Sequence, residues 1–327
     1  MCCNLASKNE TPLVSVYCMT YNQEDTIAQT IESIIGQKTT FPFELIVHDD
    51  ASTDRTAEIV RHYAEAYPHI VRPILQQENQ YKKYNIFKTH IHPISKGDLI
   101  AICEGDDYWN DDTKLQRQAD HMIQHPECTL CFHSVLQLNS KGEYTTVRPL
   151  KKSCVVSGSE IVKRGGLFCP TVSSMFRREV MDVWPQFRDE ADIYDYPSQV
   201  LAASMGTVYY MDRVMGVYRF ASAGSWTAQT KDQVNYDHVE NETKWLAQFD
   251  AYTGGRFTYD IHYHLAHMWF TEYRKTFDPA VRKNALHYTR MLSLKDRLIF
   301  TILIALFSVA GKGGNKFWER FKKLLLK

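Results

Sequence analysis

The chain has 327 residues, 44% of them hydrophobic, with 38 Lys and Arg against 38 Asp and Glu. That length holds one large α/β domain with an appendage, or two domains, and the apolar content excludes disorder over most of it. Zero net charge leaves no bulk basic surface, which argues against a dedicated nucleic-acid binder.

The first ten residues (MCCNLASKNE) contain no apolar h-region, so no secretory signal is expected and the implied compartment is a reducing cytosol. An apolar run at 13–19 (LVSVYCM) predicts the first strand. Ile27, Ile31, Ile34 and Ile35 recur at helical spacing, giving a helix from near Asn22 to a stop at Gly36. Residues 43–48 (FELIVH) read as a second strand that ends in Asp49 and Asp50. A helix with Ile59, Val60 and Tyr63 on its buried side follows, then a weak strand at 70–75 and a strongly apolar one at 98–103 (DLIAIC). Leu115, Ala119, Met122 and Ile123 mark the apolar face of the next helix, and 128–138 reads as a strand. Cys18 and Cys103 fall in apolar runs, and Cys128 and Cys131 have CxxC spacing without a second pair, which favours core packing over zinc.

Strands alternating with helices predict an α/β fold, a mostly parallel sheet with helices on both faces. There is no GxGxxG after the first strand and no GxxxxGK[ST], which removes the ordinary dinucleotide and P-loop readings. The second half is less regular. Residues 157–166 suggest a short capped helix with a glycine stop, and 170–178 (PTVSSMFRR) a strand or a binding loop. A helix at 197–205 has Pro197 in its first turn and Gly206 at its end, a strand follows at 207–210, and the chain from Trp226 on reads as helical and aromatic.

The segment Glu104-Gly105-Asp106-Asp107-Tyr108-Trp109 carries the chemistry. It puts three carboxylates directly after the most apolar strand, and they repel unless a cation or hydrogen-bond donors sit among them. Hard oxygen ligands suit Mg2+ or Mn2+, which in such sites bridge to a substrate phosphate. Ligands of open α/β sheets bind at the carboxyl ends of the strands. The competing reading is an ordinary acidic turn, with Asp111 or Asp112 capping the next helix.

Several segments occur together in one order: Val14-Ser15-Val16 leading to Thr20-Tyr21-Asn22, then DDAST-D at 49–54, EGDDYW at 104–109, an Asp-bearing helix start at Asp195, and Tyr218-Arg219. In these the chain resembles inverting family 2 glycosyltransferases of the GT-A fold, and EGDDYW resembles a bacterial branch that builds capsule, O-antigen or other surface polysaccharides. The resemblance implies a catalytic domain over 1–226, with a donor half at about 11–138 and an acceptor half at about 139–226, and a helical extension over 227–327. It implies that Thr20, Tyr21 and Asn22 hold the nucleotide of a UDP-sugar, that Asp50, with Asp49 beside it, accepts the uracil N3–H, and that Glu104 contacts the ribose. Asp106 and Asp107 would hold the metal, Mn2+ or Mg2+, and Arg219 would neutralise a diphosphate oxygen.

Inverting transfer also needs a carboxylate base for the acceptor hydroxyl. Asp195-Tyr196-Pro197 matches the family variant with a lone Asp, so Asp195 is the expected base, with Glu190 and Asp192 as alternatives. An Asp there is also a good helix cap. Where the family often has a metal- or diphosphate-binding His, this chain has Ala221.

Residues 298–311 form an uncharged apolar run shorter than the roughly twenty residues a membrane span needs. Lys312, Lys316, Arg320, Lys322, Lys323 and Lys327 follow against Glu319, with Phe317, Trp318, Phe321, Leu324 and Leu325 on one helical face. That pattern fits either a membrane-interface element over about 298–327 or a terminal helix pair packed on the protein. A glycan or polyprenyl-linked acceptor at the inner face of the cell membrane would suit the first. Two other functions fit less well. A nucleotidyltransferase should carry a Gly/Lys/Arg-rich loop where 20–25 reads TYNQED, and a non-catalytic partner of a polysaccharide assembly complex is compatible with Ala221 and the lone Asp195.

Overall fold

A computed structural model describes residues 11–81, 83, 85–220 and 235–310. They form two compact units, one of residues 11–161, 166–189 and 193–220, the other of 162–165, 190–192 and 235–310.

The first unit is built on one nine-stranded sheet, ordered β3-β2-β1-β4-β8-β5-β9-β7, with β6 paired to β5. The strands are β1 (Val14–Thr20), β2 (Phe43–Asp49), β3 (Val71–Leu75), β4 (Leu99–Ile102), β5 (Cys128–Leu138), β6 (Tyr144–Val147), β7 (Cys154–Val156), β8 (Met175–Arg177) and β9 (Thr207–Arg219). The helices are α1 (Ile27–Ile35), α2 (Thr56–Ala66), α3 (Lys114–Gln124), α4 (Gly158–Arg164), α5 (Arg178–Asp182), α6 (Gln186–Glu190) and α7 (Asp195–Met205), with α4 passing between the units. β1 to β4 pair in parallel, as the strand–helix alternation requires. The other half of the sheet is mixed, because β8 inserts antiparallel between β4 and β5 while β5 and β9 run parallel.

The parallel strands read as continuous apolar runs because helices cover both their faces. Val14, Val16 and Cys18 of β1 pack in one core with Ile27, Ile31 and Ile34 of α1 and Leu45 and Val47 of β2, all 0% exposed. Each such aliphatic side chain contributes about 2 kcal/mol on burial. Cys128 and Cys131 are free and buried in this same core, which is the packing role expected of them.

Three expectations need correction. The first helix begins at Ile27 rather than near Asn22, because Gln23 O turns the chain by accepting from Thr26 N and Ile27 N. Ile123 is 55% exposed, one position round from the buried Met122. The strand expected at 207–210 continues to Arg219, because β5 is long enough to pair with it throughout.

The second unit is helical, with α8 (Tyr236–Tyr252), α9 (Thr258–Thr276), α10 (Pro279–Arg290) and α11 (Leu294–Ala310). Its interior holds an ionic network. Glu242 accepts from His264 Nε2 at 2.7 Å and pairs with His238 Nε2 at 3.2 Å, while His238 Nδ1 meets Asp192 at 2.7 Å. Burial opposes charge on both partners, but the hydrogen bonds outweigh it, raising His238 to about 10 and lowering Glu242 to about 2. Glu242→Gln takes the shared carboxylate from the buried His264 and from the half-buried His238, which keeps Asp192, and is expected to cost about 3 kcal/mol, read as a lower midpoint in urea unfolding followed by α-helical circular dichroism.

Candidate functional site

The parallel strands β1, β2 and β4 bring their carboxyl ends to one edge of the sheet. Thr20 lies opposite Asp49, and Gly105 N donates to Met19 O at 2.9 Å. A Cβ at Gly105 would stand 2.4 Å from Gln23 Oε1 and 2.7 Å from Thr20 Oγ1, so only glycine lets the acidic loop lie this close to the β1 turn.

Two loops at this edge are laced together. Asn22 N donates to Ser52 Oγ at 2.8 Å, and Asn22 Oδ1 accepts from Thr53 N at 2.8 Å. Asn22 and Ala51 both adopt left-handed backbone (φ 51° and 62°), which costs an alanine about 1 kcal/mol. Thr20 is buried and Tyr21 is 47% exposed. The carboxylate of the buried Asp49 accepts from Ser52 N and Ser52 Oγ, so Asp49 builds the turn. Asp50 is held from a side invisible in its local sequence: Gln80 N donates to Oδ1 at 2.7 Å and Tyr81 N to Oδ2 at 3.0 Å.

The acidic loop is clamped on every side. Gly105 O accepts from Thr26 and Thr30 hydroxyls, and Asp107 O accepts from Thr30 Oγ1 at 2.6 Å. Tyr108 makes an isolated antiparallel bridge to Val217. Arg219 N donates to Asp107 Oδ1 at 2.8 Å, and its guanidinium donates to Asp106 O and Gln29 Oε1 while lying 4.9 Å from the Tyr108 ring centre. The cation expected near a diphosphate therefore sits beside the carboxylates.

So clamped, Glu104, Asp106 and Asp107 each present a carboxylate oxygen, all within 4.8 Å of one another. Burial, then the charges of Asp106 and Asp195, push Glu104 up to about 8. Burial, then Asp106 and Glu104, push Asp107 well above the carboxylate range against the pull of Arg219. Asp107 Oδ2 is buried without a hydrogen-bond partner. An orphaned carboxylate oxygen among mutually repelling carboxylates is the donor set a hard divalent cation satisfies, so these residues fit Mn2+ or Mg2+.

Asp195 is the first residue of α7; the cap position before it is Tyr194, which makes no side-chain cap bond. Its Oδ1 accepts from Tyr196 N at 2.7 Å and its Oδ2 from Thr171 Oγ1 at 2.8 Å. Thr171 lies in a 3-10 turn, Thr171–Ser173, which answers whether 170–178 is strand or loop: it is both, a turn and then β8. Trp109 ties this turn to the acidic loop, since its Nε1 donates to Val172 O at 3.0 Å. Sequence reasoning missed Thr171 and the Gln80–Tyr81 backbone, because neither lies within a motif. The alternative bases are engaged elsewhere, the Asp192 carboxylate by His238 Nδ1 at 2.7 Å and the Glu190 carboxylate by the Gln248 amide. Ala221 lies outside the described residues.

A family model described as Glycosyl transferase family 2 matches residues 15–184. An uncharacterized protein of Mycobacterium bovis is 35% identical over 224 residues, which cover 67% of this chain and 62% of that protein. TuaG of Bacillus subtilis, named as a teichuronic acid biosynthesis glycosyltransferase, is 26% identical over 71% of this chain and 90% of its own length. Among solved structures, S. aureus TarS residues 1–349, in complex with UDP-GlcNAc, superposes with a TM-score of 0.65 at 16% identity, covering 92% of this chain and 88% of that one. That likeness is one of fold, and it is the GT-A arrangement of sheet and flanking helices.

Proposed function

The chain belongs to glycosyl transferase family 2, and from that premise we propose that it transfers a sugar, with inversion, from a UDP-sugar to a hydroxyl of a glycan or lipid-linked acceptor during synthesis of a surface polysaccharide such as capsule or O-antigen. The observation that carries this reading is the pairing of a three-carboxylate cluster, half-buried at Glu104 and Asp106 and buried at Asp107, with a separate carboxylate, Asp195, whose charge reaches Glu104. The name of TuaG supports the polysaccharide class, and the ligand of TarS supports a uridine donor.

In this reading residues 1–226 are catalytic, with donor and acceptor halves meeting near 138, and 227–327 form the helical extension. Thr20, Tyr21, Asn22 and Asp50 receive the nucleoside, with the remaining lone pairs of Asp50 available to the uracil N3–H. Glu104 contacts the ribose. Asp106 and Asp107 hold Mn2+ or Mg2+, which when bound offsets charge on the departing diphosphate. Arg219 adds a fixed cation beside it. Asp195 accepts the proton of the acceptor hydroxyl as that oxygen bonds to the anomeric carbon. The bond from that carbon to the diphosphate breaks on the opposite face, and UDP leaves with inverted configuration at the sugar. The enzyme acts in the cytoplasm, peripheral on the inner face of the membrane, where a polyprenyl-linked acceptor would be presented.

Thermal unfolding of wild type and Asp106→Ala with UDP and Mn2+, separately and together, tests the donor site. Wild type is expected to gain stability from UDP only when Mn2+ is present, and Asp106→Ala to lose that gain. A folded wild type that responds to neither ligand overturns the reading.

A further inference from the structure

The charge balance of the chain hides a strong asymmetry. Residues 279–327 contain eleven Lys and Arg and two Asp and Glu, although the whole chain is neutral. One of those acids, Asp296, is engaged by the Tyr259 hydroxyl. Within this stretch α11 has two unlike faces. Phe300, Leu303, Ile304 and Phe307 are buried, with Phe300 and Phe307 edge-on to Phe270 of α9. Leu294, Leu298, Ile302, Leu306 and Val309 recur every three or four residues on the other side and are 82%, 60%, 48%, 40% and 90% exposed. A packed apolar face is ordinary for a helix, but a second, solvent-facing one is not.

No described helix is long and apolar enough to cross a membrane. The neighbouring α10 carries Arg282, Lys283 and Arg290 and no acid, and these three line a shallow depression with Pro279 and Leu286. We propose that the outward face of α11 is a membrane-docking surface that lies in the interface of an anionic bilayer, its apolar stripe among the acyl chains and the cations of α10 and α11, Arg282, Lys283, Arg290, Lys295 and Arg297, on the lipid phosphates. A second copy of the chain is a poorer occupant, since a two-fold contact on this face would set like charges together. The inference rests on the peripheral placement proposed above and is independent of the donor chemistry.

The full chain is tested by co-sedimentation with phosphatidylcholine vesicles, with and without phosphatidylglycerol. Wild type is expected to pellet with the anionic vesicles at low salt and to be released as NaCl rises. A Leu298→Glu/Ile302→Glu/Val309→Glu variant should bind at least about tenfold more weakly, while keeping the thermal shift with UDP and Mn2+. Asp106→Ala should lose that shift and still pellet, so failure of the donor site and failure of the docking surface are read separately. The proposal is overturned if wild type stays in the supernatant with anionic vesicles, if the triple variant pellets as wild type does, or if light scattering shows a wild-type dimer that the triple variant abolishes without any vesicle binding.

Discussion

Replacing Asp195 with Asn is expected to lower kcat by about 10³-fold, the usual worth of a positioned general base, with the thermal shift from UDP and Mn2+ unchanged. Asn keeps its one oxygen for the Tyr196 N–H and turns its amide NH2 toward the Thr171 hydroxyl oxygen, which then accepts, but it cannot take the acceptor proton. The split between chemistry and donor binding is what separates a base from a structural cap, whose loss would lower stability and leave kcat standing. Thr171 provides a finer reading. Its hydroxyl donates to Asp195 Oδ2 and so favours the ionised carboxylate. Thr171→Val removes that donor, so the base titrates higher and the acid limb of the kcat profile moves to higher pH. Thr171→Ser should restore the wild-type limb. An unchanged profile in Thr171→Val, with Asp195→Asn inactive, would leave Asp195 as base and remove Thr171 from its control.

The second large effect is expected at Asp107. Asp107→Asn keeps an oxygen for Arg219 N but takes a charge out of the cluster. Transfer and Mn2+ affinity should each fall by about 10²-fold, as when a group directly supporting a bound metal is lost. The apo protein should respond the other way. Glu104 and Asp107 have folded-state values raised above their unfolded ones, Glu104 to about 8. A raised value means that the stability these carboxyls contribute is full below about pH 4 and is lost as pH rises, for Glu104 through about 8. Apo wild type should therefore lose stability between those limits, and saturating Mn2+ should flatten the decline. Asp107→Asn, relieved of one charge, should decline less when apo. Melting curves across that range, with and without Mn2+, test both; a flat apo wild type would contradict the mutual repulsion of these three close carboxylates. The exchange of stability for function is the expected pattern at a binding site made of like charges.

What the sequence by itself determined was most of what local order carries, apart from the start of α1 and the face of Ile123. The apolar runs at β1, β2 and β4 could only be buried strands, and the Ile27–Ile31–Ile34 spacing could only be one face of a helix, because both periods follow from backbone geometry. The acidic segment was legible for the same reason, since three carboxylates after a buried strand demand a partner wherever they lie. Tertiary structure alone decided which groups those residues meet. Asp49 and Asp50 are adjacent and identical in type, yet one is consumed by Ser52 three residues on and the other is gripped by backbone thirty residues away. Asp195 is set apart from the nearby Asp192 and Glu190 by what reaches it, the Thr171 hydroxyl rather than His238 or Gln248. Likewise, residues 298–309 read as one apolar run until packing divides them into a buried face and a free one. Hydrogen bonds and side-chain contacts form across distances in the chain that no local period records, so the residue types could be read in order while their assignments waited on the fold.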